Sequence, residues 1–245
     1  MSQALKILVL DNTREAAFFG SKSLLDWVIK MAPQGSEVMV RRSPDADIPH
    51  DLNLDLLFIS GSITSCLTRD ESWIEPYDAF VTAHIQKRTP MLGICYGHQT
   101  IARCLFRMHD MEPQLGRAKD AELGWQTIQT LSTETLFEGL GESFVTYQSH
   151  YEEVSALPPG TVRIAETDRC AIQAFQLEGA PIFGIQFHPE HTIEYAEEAL
   201  ANKLKKGERR DWILNPGKGK QLYNENVGKK IFGNFFKIAQ SHLGR

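Results

Sequence analysis

The stretch Met91–Gln99, MLGICYGHQ, places a cysteine in a turn with a glycine on either side of it. Pro90–Ile94 is typical of a short buried strand and Gly97–Met108 of a helix, so Cys95 falls at their junction. The glycines lack the Cβ atoms that would obstruct so tight a bend. A cysteine at a helix N-terminus faces unpaired N–H groups and the positive end of the helix dipole, which favour the thiolate. We therefore predict that Cys95 is a nucleophile.

A second segment supplies a base for this thiol. Gly184–Glu190, GIQFHPE, ends an apolar strand in a histidine, a proline and a glutamate. Pro189 favours an extended backbone at His188, and residues two apart in an extended chain face the same side, so Glu190 is expected to reach the imidazole. A free cysteine alone is as often a buried core residue. A nucleophile, a base and a group that orients the base match the triad arrangement of covalent catalysis.

In their order and separation, these segments resemble the class I glutamine amidotransferase family, whose members use a Cys-His-Glu triad. Further blocks occur in the family's order: LLFISGSITS at 56–65, ELGW at 122–125, LFEGL at 136–140 and QSHYEEVSALPPG at 148–160. Together they look most like the amidotransferase portion of GMP synthase, and the resemblance covers residues 5–200. It implies an α/β, flavodoxin-like fold with a mostly parallel central sheet flanked by helices.

The resemblance implies a reaction on the γ-amide of L-glutamine. The Cys95 thiolate would attack the amide carbon, and His188 would protonate the departing nitrogen as ammonia. Water activated by His188 would then hydrolyse the γ-glutamyl thioester to glutamate, while Glu190 holds the imidazole in the useful tautomer. The family's ammonia normally passes to a synthase, so a synthase subunit is the expected partner.

The resemblance also assigns an oxyanion hole and substrate contacts. The hole falls on the backbone N–H groups of Tyr96 and of Ser62, in the Gly61–Ser62 loop. Family members commonly have Gly-Gly-Pro where this chain has Gly-Ser-Ile, ending in Ile63. Serine tolerates positive φ poorly and isoleucine lacks the rigidity of proline, so the hole is expected to form differently. Substrate contacts fall on Gln99, Ser149, His150 and Tyr151.

Two alternative functions use the same fold. A γ-glutamyl peptidase or hydrolase would use the same triad to cleave larger γ-glutamyl compounds and would need no synthase. The altered loop at 61–63 and the irregular basic segment 205–226 suit the open pocket that such a substrate requires. A non-catalytic interaction module on this fold would be expected to have a broken triad, whereas the sequence retains all three residue types.

The composition of the chain limits which other functional classes are expected. The chain has 245 residues, of which 42% are hydrophobic, enough for one large α/β domain with a sizeable core. Its net charge of −5 gives no electrostatic reason to expect nucleic acid or a membrane as partner. No signal peptide or long apolar run is visible, so we expect a cytoplasmic protein. The four cysteines show no C-x-x-C spacing and no phosphate loop occurs, so neither a metal nor a cofactor is expected.

The pattern of apolar segments predicts one domain over residues 1–245, with a helical extension at 201–245. Arg14–Met31 is predicted to be a helix, and Thr127–Thr130 and Phe144–Tyr147 are predicted to be short strands. Residues 205–226 are predicted to be an irregular, solvated surface loop.

Several other conspicuous side chains are given structural roles. His98 is expected to pack on the first turn of its helix rather than act as a second base, and Trp125 to be a core anchor beside the site. His109 and His191 are predicted to lie on the surface.

Overall fold

Apolar strands alternate with helices along the chain and build one mixed sheet with helices on both faces. The computed structural model describes residues 3–14, 21–49, 53–132 and 136–244. The strands described are β1 (Lys6–Asp11), β2 (Glu37–Arg42), β3 (Leu56–Ile59), β4 (Met91–Ile94), β5 (Leu115–Thr130), β6 (Ser143–Val154), β7 (Thr161–Glu166), β8 (Ala174–Leu177), β9 (Ile182–Ile185) and β10 (Ile213–Leu214). The α-helices are α1 (Lys22–Met31), α2 (Ile74–Gln86), α3 (Tyr96–Met108), α4 (Ile193–Lys205), α5 (Gly219–Leu222) and α6 (Glu225–His242).

The strand order is β10-β5-β7-β8-β9-β4-β3-β1-β2, with β6 also paired to β5. From β2 to β9 the neighbouring strands are parallel. The strands β6, β7 and β8 pair antiparallel with their neighbours, and β10 pairs parallel with β5. The predicted α/β fold is therefore confirmed, and its parallel strands form the part of the sheet that carries the predicted nucleophile.

The side chains of a strand alternate between the two faces of the sheet, and helices cover both faces. In β1, Ile7 and Val9 belong to the core cluster that includes residues of α1 and α6, while Leu8 and Leu10 belong to the cluster that includes α2 and α3. Successive side chains of a strand point to opposite faces, so an uninterrupted apolar run is typical of a strand buried on both sides. Within the described ranges, no helix is long and apolar enough to cross a membrane.

Three elements differ from the sequence predictions. The helix predicted from Arg14 is described from Lys22 onward, and residues 15–20 lie outside the described residues. The strands β5 and β6 extend well beyond the predicted Thr127–Thr130 and Phe144–Tyr147. They pair with each other along most of their length, so polar residues that read as loop in the sequence are held by a cross-strand ladder.

The segment 205–226 is not irregular throughout. It contains a short 3₁₀ turn, strand β10 and helix α5, and β10 pairs with β5 at Leu123 and Gly124. A Cβ atom at Gly124 would overlap the carbonyl oxygen of Leu214, and this glycine has a φ of +127°. Only glycine permits so close a backbone approach. The pairing of β10 with β5 therefore depends on one residue in a distant strand, which the local sequence pattern did not reveal.

A buried ion pair joins α3, the helix after the predicted nucleophile, to α2. The Arg103 guanidinium donates from Nε to Asp78 Oδ2 at 2.8 Å and from Nη2 to Oδ1 at 2.5 Å. Arg103 is completely buried and Asp78 nearly so, while Arg107 adds a contact of 2.8 Å to the same carboxylate. A bidentate pair of this kind fixes the two helices relative to each other.

Asp78→Ala should lower the free energy of unfolding by about 3–5 kcal/mol, because it leaves the Arg103 guanidinium buried without its counter-ion. Urea denaturation measures the effect as a lower midpoint. Asp26→Ala is the control, because the ion pair of Asp26 with Lys22 is exposed and should contribute little. Equal midpoints for the two variants would contradict the role given to the buried pair.

Candidate active site

The Cys95 thiol sits on a strained turn between β4 and α3. Cys95 has a φ of +52° and a ψ of −103°, a backbone conformation that non-glycine residues adopt rarely. A Cβ at Gly93 would lie 2.6 Å from the carbonyl carbon of Gly97, and one at Gly97 would lie 2.5 Å from the carbonyl oxygen of Ile59. The turn can therefore close only because both positions are glycine. The N–H of Cys95 donates to the carbonyl of Ile185 at 2.8 Å, which ties the turn to β9.

His188 and Glu190 follow β9 and meet Cys95 at the same edge of the sheet. The backbone N–H of His188 donates to the carbonyl of Tyr147 in β6 at 2.9 Å. Its Nδ1 lies 2.7 Å from Glu190 Oε1, and both residues are buried. Burial alone would lower the pKa of His188, but the Glu190 carboxylate and the neighbouring Cys95 side chain outweigh it and raise the pKa to about 10. The structure thus brings the three predicted triad residues together.

His191 is buried, so the prediction that it lies on the surface is wrong. Its ring stacks on that of His188, with centroids 4.7 Å apart and planes 8° apart, and lies 4.0 Å from the ring of Tyr195. Its Nε2 is 3.7 Å from Glu190 Oε1. Burial lowers the pKa of His191 to about 3, so this ring is neutral beside a charged one. Its burial depends on α4, which begins two residues later at Ile193. The local sequence pattern did not reveal this helix start.

The other two histidines and Trp125 agree with their predicted roles. His98 is buried with its ring 4.9 Å from that of Phe175, and burial lowers its pKa to about 3. His109 is exposed. Trp125 is buried, and its indole N–H donates to Glu197 Oε1 at 2.9 Å.

The loop after β3 lies directly against Cys95 and His188. A Cβ at Gly61 would lie 3.1 Å from His188 Cε1 and 3.5 Å from Cys95 Cβ. Ser62 is not among the described residues with positive φ, so serine is accommodated without strain. Its hydroxyl donates to the carbonyl of Asn12 at 2.7 Å and accepts from the N–H of Thr64 at 3.0 Å. The side chain that replaces the family's glycine therefore anchors this loop to the end of β1.

A cavity of about 290 Å³ opens over the thiol. Its lining includes the triad, Gly61, Ser62 and the predicted substrate-contact residues Gln99, Ser149, His150 and Tyr151. Tyr96 follows Cys95 directly but does not line the cavity with its side chain, which is buried among Tyr77 and Trp73. Only its backbone N–H is relevant to the predicted oxyanion hole.

The side chains of Gln99 and His150 are both hydrogen-bonded to other residues of the protein. Gln99 Nε2 donates to the carbonyl of Glu152 at 3.0 Å and to Gln186 Oε1 at 3.1 Å, which leaves its own carbonyl oxygen without a described partner. His150 uses both ring nitrogens, with Nε2 at 2.9 Å from Glu122 Oε2 and Nδ1 at 3.3 Å from the carbonyl of Glu152. His150 therefore shapes the wall of the cavity more than it offers a polar atom to a ligand.

Sequence reasoning gave no role to Glu122, although it opens the ELGW block. This carboxylate is completely buried and accepts hydrogen bonds from Thr167 Oγ1 at 2.8 Å and Gln173 Nε2 at 2.5 Å, besides its contact with His150. A glutamate at the start of an apolar block was the only available signal, since buried carboxylates are almost always paired.

Two clusters among the described residues bring metal-ligating atoms within 4.8 Å of one another: Glu122, His150 and Cys170, and His188, Glu190 and His191. In the first, the carboxylate is already hydrogen-bonded to four side chains. In the second, the carboxylate holds the ring of His188. Both clusters are explained as hydrogen-bond networks, and we assign no ion to either.

Glu190→Gln should lower the pKa of His188 from about 10 toward or below its ordinary value of 6.5, because burial remains when the carboxylate charge is gone. NMR titration of the imidazole measures this. Glu194→Gln is the control, since Glu194 is an exposed carboxylate in the first turn of α4. An unchanged pKa of His188 in Glu190→Gln would contradict the assigned pair.

The same variant should reveal the pair in the pH dependence of unfolding. A raised pKa stabilises the folded state fully below the unfolded-state value of 6.5, and this contribution is lost as the pH rises through about 10. Glu190 has a lowered pKa, so the contribution is also lost as the pH falls below its ordinary 4.5. The difference in unfolding free energy between wild type and Glu190→Gln should therefore be largest between these two ordinary values.

Comparison with known proteins places this geometry in a family. The sequence model described as glutamine amidotransferase class-I matches residues 26–206. A glutamine-hydrolysing GMP synthase subunit from Pyrococcus abyssi is 33% identical over 172 residues, which are 69% of this chain and 84% of the relative. The glutamine-hydrolysing GMP synthase of Caldicellulosiruptor saccharolyticus is 36% identical over 151 residues, which are 59% of this chain but 27% of the relative.

The fold is shared with solved structures at lower sequence identity. The crystal structure of a glutamine amidotransferase from Methylobacillus flagellatus superposes with a TM-score of 0.79 at 18% identity, over 96% of this chain and 95% of the other. The sequence match and the fold agree with the motifs around Cys95 and His188. The chain belongs to the class I glutamine amidotransferase family and is a cysteine-dependent enzyme of that class.

Proposed function

We propose that this enzyme hydrolyses the γ-amide of L-glutamine to glutamate and ammonia, with Cys95 as nucleophile, His188 as acid and base, and Glu190 as the group that orients His188. The observation that carries this proposal is the placement of Cys95 and of a His188 ring fixed by Glu190 around one cavity. The raised pKa of His188 favours the imidazolium, the form that can give a proton to the departing nitrogen.

The proposed reaction has two halves. The thiolate attacks the side-chain amide carbon, and the C–N bond breaks as His188 gives its proton to the nitrogen, which leaves as ammonia. A γ-glutamyl thioester remains on Cys95. His188, now neutral, takes a proton from water as the water attacks the thioester carbon, and the C–S bond breaks to release glutamate and the thiolate.

Both halves place negative charge on the carbonyl oxygen of the substrate. Backbone N–H groups of Tyr96 and Ser62 are the proposed donors to this oxygen. Their positions support this role: Tyr96 begins α3 directly after the nucleophile, and the Gly61–Ser62 segment borders both Cys95 and His188. Gln99, Ser149 and Tyr151 line the same cavity and are proposed to contact the glutamyl group.

We propose a separate synthase as the consumer of the ammonia. The relative from Pyrococcus abyssi is described as one subunit of a glutamine-hydrolysing GMP synthase, and the match to the Caldicellulosiruptor enzyme spans 27% of its length. The subunit description of the Pyrococcus relative supports an amidotransferase whose ammonia is consumed by a synthase subunit. The identity of the acceptor is tested by adding candidate synthases and following amination of their substrates with glutamine as the nitrogen source.

Cys95→Ala should reduce glutamate release from L-glutamine on the order of a thousandfold or more, because no other group can form the thioester. Coupled detection of glutamate measures the rate for the purified protein, alone and with a synthase. Cys104→Ala is the matched control, since Cys104 is a buried thiol in α3 that does not line the cavity. Retained turnover in Cys95→Ala would remove the proposed nucleophile.

Gly61→Ala should lower kcat by about ten- to a hundredfold, because its added Cβ would lie 3.1 Å from His188 Cε1 and shift that ring. Gly233→Ala is the control, since a Cβ there meets nothing within 4 Å. Steady-state kinetics and a thermal unfolding curve for each variant separate loss of geometry from loss of folding. An unchanged kcat in folded Gly61→Ala would show that the loop does not have to lie this close.

A further inference from the structure

Lys203 is a lysine in the wall of the cavity that contains the nucleophile. It lies in the last turn of α4, is half-buried, and lines the cavity together with Cys95 and Tyr151. None of the motifs that identified the triad includes it.

Among the described residues, Lys203 has no counter-ion within ion-pair distance. Its Nζ donates one hydrogen bond, to the Tyr151 hydroxyl at 3.2 Å, and lies 4.8 Å from the centroid of the Tyr151 ring. Arg117, the arginine in the cavity lining, is mostly exposed and lies 3.5 Å from the Glu152 carboxylate. An ammonium has three donors, so Lys203 has donors to offer to a ligand.

The surrounding residues hold this ammonium in place. The Tyr151 hydroxyl donates to Glu208 Oε1 at 2.7 Å, and the Tyr151 ring packs edge-on against Trp212 with centroids 6.2 Å apart. The segment after α4 therefore fixes the tyrosine, and the tyrosine supports the lysine from one side. A cation supported in this way is preorganised and does not have to be ordered by the ligand.

The charge of Lys203 also reaches the reacting group. Burial lowers the pKa of Lys203, while the negative charges of Glu208 and of the Cys95 thiolate act to raise it. Lys203 and Cys95 line the same cavity. A carboxylate bound at Lys203 would lie in the same cavity as the scissile bond.

We propose that Lys203 binds a carboxylate of the substrate, which makes it a specificity-determining residue of this site. This inference rests on the proposed glutamine-hydrolysing function and extends it to substrate recognition. The carboxylate has two possible sources: the α-carboxylate of the glutamyl group, or a carboxylate beyond the scissile bond in a γ-glutamyl peptide. Both present the same chemistry to an ammonium, a charge-assisted hydrogen bond.

Two matched substrate pairs distinguish these sources. L-Glutamine and its α-amide differ in the α-carboxylate, whereas γ-L-glutamylglycine and γ-L-glutamylglycinamide differ in the carboxylate beyond the scissile bond. The enzymes are wild type, Lys203→Gln and the control Lys205→Gln, which removes an exposed lysine from the same end of α4. KM and kcat are measured for each, and unfolding curves check folding. Protection of Cys95 from alkylation by iodoacetamide gives the affinities where turnover is slow.

Lys203→Gln should raise KM, or the protection constant, about ten- to a hundredfold for the carboxylate member of a pair, with kcat little changed. The matching amide should be bound equally by wild type and variant, and Lys205→Gln should behave as wild type. Weaker binding of L-glutamine by Lys203→Gln would identify the α-carboxylate as the group that Lys203 binds. Weaker binding confined to γ-L-glutamylglycine would identify the carboxylate beyond the scissile bond.

Equal effects on both members of each pair, or no effect on any, would overturn the inference while leaving the proposed function intact. Neither turnover nor protection in the folded wild type would overturn the proposed function and the inference with it.

Discussion

The site depends on a close contact between two pieces of backbone. The first turn of α3 lies against the end of β3 with no side chain between them, since the Cβ that Gly97 lacks would overlap the carbonyl oxygen of Ile59. This approach forces Cys95 into a positive φ and directs the thiol to the carboxyl edge of the sheet. The loop after β3 and the segment after β9 end at the same edge, because β3, β4 and β9 are parallel neighbours. One backbone contact thus sets where the nucleophile, the loop and the base meet.

A single carboxylate then decides how charge is shared at that edge. Glu190 Oε1 approaches a nitrogen of each of two stacked imidazoles, at 2.7 Å from His188 and 3.7 Å from His191. The pKa of His188 is raised and that of His191 is lowered, so the carboxylate stabilises one imidazolium rather than two. His191 packs as a neutral ring directly against that of His188.

The sequence predicted the parts of this site that are local. A glycine on each side of a cysteine, and a proline between a histidine and a glutamate, restrict backbone conformation within a few residues, so the turn at Cys95 and the pairing of His188 with Glu190 follow from short-range chemistry. His191, Lys203 and β10 were missed because their surroundings come from distant segments. Lys203 is hydrogen-bonded to Tyr151 in β6. Strand β10 can pair with β5 because Gly124 has no side chain. The lengths of β5 and β6 were underestimated for the same reason, since cross-strand pairing overrides weak local preference.

The order of strands in the sheet also has a consequence for biosynthesis. Cys95, the proposed nucleophile, follows β4, and His188, its proposed base, follows β9; these strands are neighbours in the sheet although α3 and the strands β5 to β8 lie between them in the sequence. During synthesis Cys95 is therefore made long before His188. Domains generally fold as units, so the site is assembled only after these distant segments have been made. A chain that ends before β9 lacks both proposed partners of Cys95.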